Sequence, residues 1–280
     1  MENNERPLHE SSNDFCLSRA ECGNLTANCI VGRLAVMVRN EREIYSHDNF
    51  LPSHDGQISS AAPHNPMSTV DSDWRASIVK WSYNVVDYFD LSREVVALSM
   101  ACFDRFFATR ITRPTSDLVL LASIATLHIA IKFRESAIIK VSTLAWFGRG
   151  RFNESRIANM ELLVLNELRW LTNPPTVISF VMHLILLLPD MTLDTKRKVL
   201  ESSRFLAELS VADSFFIAKP CSVTGLAAII NSLDECYATM PSTERSQYLN
   251  HISGVIGVRD NDEVLAAQRR LQLLSSVNGD

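Results

Sequence analysis

Leu118-Val-Leu-Leu-Ala-Ser-Ile-Ala-Thr-Leu-His-Ile-Ala130 is apolar or small at almost every position. Pro114 and Ser116 stand at its start, and the pattern reads as a helix running to about Phe133. A helix that is hydrophobic all round has to be enclosed on all sides. Its alanines and serine let neighbouring helices come close. The second half holds a counterpart, Ser222-Val-Thr-Gly-Leu-Ala-Ala-Ile-Ile230, opened by Pro220. Up-down bundles rarely bury one helix completely, so each of these two should be the hub of an orthogonally packed unit.

The surrounding sequence supplies the other members of each unit. Residues 72–89 place Ile78, Trp81, Val85, Val86 and Phe89 on one face of a helix. Ser92 can cap a second helix to about Ala108, carrying Val95, Val96, Met100, Cys102, Phe103 and Phe106. A short helix follows over Ser142–Phe147. A fifth starts at Asn153 and ends near Leu171, before Asn173-Pro174-Pro175. The same rhythm repeats over about 176–188, 193–210, 221–237, 242–255 and 261–276. No run alternates with period two between turn residues, so no strand is expected. The prediction is all-α: a first five-helix unit over 72–175 and a second over 176–280. Residues 1–71 form a polar tail and linker with one short helix over 31–45, burying Leu34, Val38 and Ile44 on one side.

Composition limits what such a chain does. At 46% hydrophobic and 21% charged residues it has material for real cores. A net charge of −5 runs against a protein that coats nucleic acid. The two longest apolar stretches, Leu118–Phe133 and Val177–Leu188, fall short of the ~20 residues of a membrane span. No charged-then-apolar leader opens the sequence, so the expectation is a soluble protein of nucleus or cytoplasm with reduced thiols and no membrane partner. Cys102, Cys221 and Cys236 lie in apolar helical patterns, and Cys16, Cys22 and Cys29 lack the close pairing of a zinc site. Four histidines (His9, His47, His54, His64) fall in the tail and linker. His128 and His183 sit in apolar helices as hydrogen-bonded core residues. With no nucleophile elbow, phosphate loop or His-Glu-x-x-His present, neither catalysis nor a cofactor or metal is expected.

Four short segments carry a resemblance. Trp74-Arg-Ala-Ser-Ile-Val-Lys-Trp81, Ala101-Cys-Phe-Asp-Arg-Phe106, Ala130-Ile-Lys-Phe-Arg-Glu135 and Asn159-Met-Glu161, continuing through Leu168-Arg-Trp170, resemble the cyclin box. They occur in that family's order and at very nearly its spacing. The match covers about residues 72–175, and the second half follows in helix pattern. Arg75 and Asp104 are charges in apolar stretches, and a buried charge is costly unless paired. The resemblance implies the same reading, a structural ion pair between the first two helices of the box.

The resemblance also implies a site. In cyclins the residues matching Lys132 and Glu161 lie on the face that grips a cyclin-dependent protein kinase and hydrogen-bond to its backbone near the mobile αC helix. Ile129, Phe133, Leu165 and Trp170 match the apolar part of that face. On the residues alone, Lys132 and Glu161 are equally ordinary solvated charges at helix edges. Kinase substrates or inhibitors are further partners of such proteins, docking on the first helix, where Trp74, Ile78 and Trp81 preserve an apolar groove. Ser77, Asn84 and Leu120 depart from the family's Arg-x-Leu docking pattern, and Asn84 leaves no carboxylate for the arginine. Ile131 and Arg134 depart from the family's Ser and Glu, a difference that bears on kinase choice. The other reading is a cyclin-fold transcription factor binding DNA or the transcription machinery, against which the acidic charge stands.

Overall fold

The computed structural model describes residues 27–47, 72–109, 114–136, 139–189, 192–235, 242–258 and 261–278. Among them the regular structure is helical, with no strand. Helix α1 spans Ala27–Glu43. The first unit contains α2 (Ser72–Tyr88), α3 (Glu94–Ala108), α4 (Ser116–Arg134), α5 (Val141–Phe147) and α6 (Glu154–Glu167). The second contains α7 (Val177–Ile185), α8 (Leu193–Ala212), α9 (Cys221–Glu235), α10 (Ser242–Ile256) and α11 (Asn261–Asn278), with a 3-10 turn at Ser214–Phe216.

Helix α4 is the hub of the first unit, with α2, α3, α5 and α6 all packed on it. Every residue from Leu121 to Ile131 is buried. By length and composition it would reach across a membrane, contrary to the sequence expectation, but two thirds of its apolar window lies inside the protein. Thr115 starts it by accepting a hydrogen bond from the Leu118 amide at 3.3 Å, satisfying one of the orphan donors of the first turn. Helix α9 is the second hub, packed by α7, α8, α10 and α11. Gly225 allows α7 to approach: a Cβ there would lie 3.1 Å from the Phe180 Cβ.

Several boundaries moved. Helix α1 ends before Ile44, which is exposed, and its third buried residue is Ile30. Helix α1 packs on α7 and α10 and so belongs to the second unit's core. Two charges staple it there. Glu41 accepts from the Ser222 amide and hydroxyl at the start of α9, at 3.0 and 2.5 Å. Arg42 donates to the carbonyls of Ile256 and Gly257 at the end of α10, at 3.1 and 3.2 Å. An anion at a helix start and a cation at a helix end both oppose the helix dipole. Helix α3 is assigned from Glu94, after Arg93, and the Ser92 hydroxyl accepts from the Glu94 amide at 3.4 Å, as expected of a cap, while the Ser92 amide donates to Glu135 at 2.9 Å. Cys16, Cys22, Cys236 and most of the predicted linker lie outside the described residues.

The two units meet along α2, α3 and α8. Arg75 and Asp104 form the expected pair, buried and bidentate at 2.9 and 2.7 Å. The third guanidinium nitrogen donates across the junction to the Val211 carbonyl at 2.6 Å, so one arginine ties α2, α3 and α8 together. Arg93 adds an ion pair to Glu208 at 2.9 Å.

Candidate protein-binding face

The edge between α4 and α6 holds the charged residues singled out above. Lys132 lies in the last turn of α4, where the helix emerges from its enclosure and a cation opposes the dipole. Glu161 is the eighth residue of α6. The Lys132 ammonium donates to Glu161 Oε2 at 2.8 Å. The lysine side chain is 49% exposed. Glu161 as a residue is only 8% exposed, so the carboxylate faces inward more than an ordinary solvated charge.

The inward partner is His128. Its Nδ1 is hydrogen-bonded to Glu161 Oε1, and its Nε2 lies 3.1 Å from the Ile139 carbonyl, in the segment leading into α5. Burial alone would raise the Glu161 carboxyl. The hydrogen bonds from His128 and Lys132, with the charges they carry, outweigh burial and hold it below the ordinary carboxylate range. The sequence reading placed His128 correctly as a hydrogen-bonded core residue but missed its partner. The spacing of four puts His128 and Lys132 on one helix face, but nothing in the sequence marks Glu161 as the neighbour they meet.

Apolar residues flank the charges. Phe133 is 52% exposed and Trp170 is 64% exposed, with Leu162, Leu163 and Leu171 also outward and Leu165 half-buried. Ile129, counted on the sequence as part of this face, is 5% exposed and belongs to the core beneath it. Ile131 is likewise buried. Arg134 is engaged by Glu94, at the start of α3. Trp170 is presented by an unexpected turn. Helix α6 stops at Glu167 rather than near Leu171, and Arg169 and Trp170 have φ of 51° and 61°. Two successive left-handed residues other than glycine cost about 1–2 kcal/mol each, a strain that tends to gather at functional surfaces. The Trp170 amide closes the turn on the Leu165 carbonyl at 2.8 Å.

On α2, Trp74 is exposed, Trp81 is half-buried and Ile78 is buried in the core. Among the described residues no group of three or more His, Cys, Asp or Glu could hold a metal ion.

Two five-helix units, each closed around an enclosed central helix, with a charged and aromatic face on the first, define a two-lobed helical protein of the cyclin fold. A viral cyclin from herpesvirus saimiri shares that fold, with a TM-score of 0.66 at 15% identity, covering 88% of this chain and 96% of that one. The Cyclin, N-terminal domain family matches residues 41–173, and in sequence and fold the chain is similar to cyclins. Similar relatives include chicken G1/S-specific cyclin-E1, 34% identical over 38% of this chain and 26% of that protein. Soybean G2/mitotic-specific cyclin S13-6 is 26% identical over 76% of this chain and 47% of its own length. The chain thus spans between a quarter and a half of the curated relatives it matches.

Proposed function

We propose that this protein is a regulatory subunit that binds a cyclin-dependent serine/threonine protein kinase, places its αC helix in the working position and so controls cell-cycle progression. A kinase needs its αC glutamate paired with the strand lysine that holds the ATP phosphates. A subunit that binds only the swung-in αC shifts the population toward it, by no more than its differential affinity. The subunit contributes no chemistry of its own, and its place of action is the nucleus or cytoplasm.

The observation that carries this reading is the juxtaposition of Lys132 and Glu161, 2.8 Å apart at the rim of two rigid helices, beside exposed Phe133 and Trp170. Lys132 offers donors and Glu161 retains unused lone pairs, which suits an unpaired backbone amide and carbonyl of a partner segment. The aromatic residues around them are of the kind that dominate binding at interfaces. The relatives' names divide between G1/S and G2/mitotic forms, so the proposal concerns the cell cycle and names no phase.

The test is affinity purification of the full chain from its native cell, with phosphate transfer from ATP to a serine/threonine peptide measured on the eluate. Kinase activity should accompany the wild type and be absent from the Lys132→Ala/Glu161→Ala double variant. Salt-sensitive retention of duplex DNA in place of a kinase would favour the transcription-factor reading.

A further inference from the structure

We infer that His128 is a positioning residue: from inside the first unit it holds the Glu161 carboxylate in the pose that the partner meets. The inference rests on the reading just given, and it adds a residue and an element to it. His128 stands at the thirteenth position of a helix whose neighbouring residues are all buried and nearly all apolar or small. It is 4% exposed, and a polar ring there has to be hydrogen-bonded to be tolerated. Both ring nitrogens meet acceptors: Nδ1 meets Glu161 Oε1 on α6, and Nε2 meets the Ile139 carbonyl ahead of α5. Both contacts are to oxygen acceptors, so each is satisfied where the ring nitrogen facing it carries a proton. Lys132, on the same helix, is the other charge bonded to Glu161.

The consequence is geometric. Glu161 alone, on a rotatable side chain at the rim, would sample several rotamers, and a partner would have to select among them. With Oε1 fixed from below by a ring packed in the core, Oε2 is left aimed at Lys132 and the rim. The lysine is then the mobile member, half-exposed and able to exchange its carboxylate for a carbonyl of the partner. Through Ile139 the same ring also ties the segment before α5 to this edge.

Three full-chain variants test the role: His128→Leu, which keeps volume but removes both donors; His128→Asn, which keeps one donor near the Nδ1 position; and His128→Leu combined with Glu161→Gln. The probe is the kinase recovered with the wild-type chain, and the Glu161 side-chain carboxyl is titrated separately by NMR in the free chain. His128→Leu should weaken kinase binding about tenfold, the size of one lost charge-assisted hydrogen bond. It should also move the Glu161 titration upward, and His128→Asn should restore most of both. In the Glu161→Gln background His128→Leu should add less than about twofold, because the residue acts through Glu161. An unchanged Glu161 titration, or an equal loss of binding in both backgrounds, would overturn the role. If the wild type recovers no kinase, the regulatory-subunit reading falls, and the titration still decides whether His128 governs Glu161.

Discussion

The two units solve one packing problem with different chemistry at corresponding crossings. In each, the central helix is crossed by the last helix of its unit, α6 on α4 and α11 on α9. In the second unit that crossing carries neutral amides: Asn231 donates to the Gln268 carbonyl at 3.0 Å, and Gln268 and Gln272 reach back to Asn231 Oδ1 at 3.3 Å. In the first it carries His128, Glu161 and Lys132. Neutral amides satisfy one another at little electrostatic cost. A charged cluster at a core edge is costly to desolvate. Under the proposed function the contrast separates a crossing that holds a fold together from one that also meets a partner.

The largest expected effect breaks that contrast at the junction. Asp104→Ala leaves Arg75 buried without its carboxylate and should cost about 3–5 kcal/mol in urea unfolding. Asp213→Ala, in the second unit, removes a carboxylate whose partner Arg270 is half-exposed, along with a 2.9 Å bond to the Phe215 amide. It should cost about 1–2 kcal/mol. Equal losses would mean the burial of the first pair is not what sets its importance.

Next comes the closeness of the hubs. Gly225→Val forces α7 and α9 apart at Phe180 and should cost about 1–3 kcal/mol, read as a lower melting temperature with kinase binding retained. Asn231→Ala should cost about 1–2 kcal/mol, since it removes a buried side chain that donates to the Gln268 carbonyl and accepts from the Gln268 and Gln272 amides, and should likewise leave binding intact. A binding defect in either variant would blur the division between the two crossings.

The smallest effect is one of pH, and the two units should respond with opposite sign. Glu161 is held below 4.5 in the fold, so its share of stability is complete above that value and is lost as pH falls through the depressed one. Glu41 is pushed up, chiefly by burial, against the hydrogen bonds from Ser222 and the charge of Arg42. Its share is greatest below 4.5 and is lost as pH rises through the raised value. Urea unfolding from about pH 3 to 7 should therefore change slope in opposite directions for Glu161→Gln and Glu41→Gln.

Much of this was legible in the sequence because it depends on local pattern. Helices α4 and α9 announce themselves by apolar runs with no polar side, and Pro114 and Pro220 mark where they start. The Arg75–Asp104 pair was legible because a charge amid apolar neighbours demands a partner. What the sequence concealed depends on tertiary contact. The end of α6 rests on left-handed Arg169 and Trp170, with no glycine to mark the turn. The Ser92 hydroxyl meets the first turn of α3 as its type suggests, but the bond from its amide to Glu135, forty-three residues further on, has no local signal. Ile129 and Ile78 fall on the expected helix faces, yet lie just deep enough to be enclosed. The His128–Glu161 contact joins residues thirty-three apart, and no periodicity reports it.

The central claim is that Lys132 and Glu161 together hold a kinase. Its most direct measurement is the dissociation constant between the purified chain and the co-purifying kinase, wild type against Lys132→Ala/Glu161→Ala, with far-ultraviolet circular dichroism on both. The account predicts at least a roughly hundredfold loss of affinity with helicity unchanged, as expected when two central contacts of an interface are removed. Affinity within about twofold of wild type in a folded double variant would contradict it.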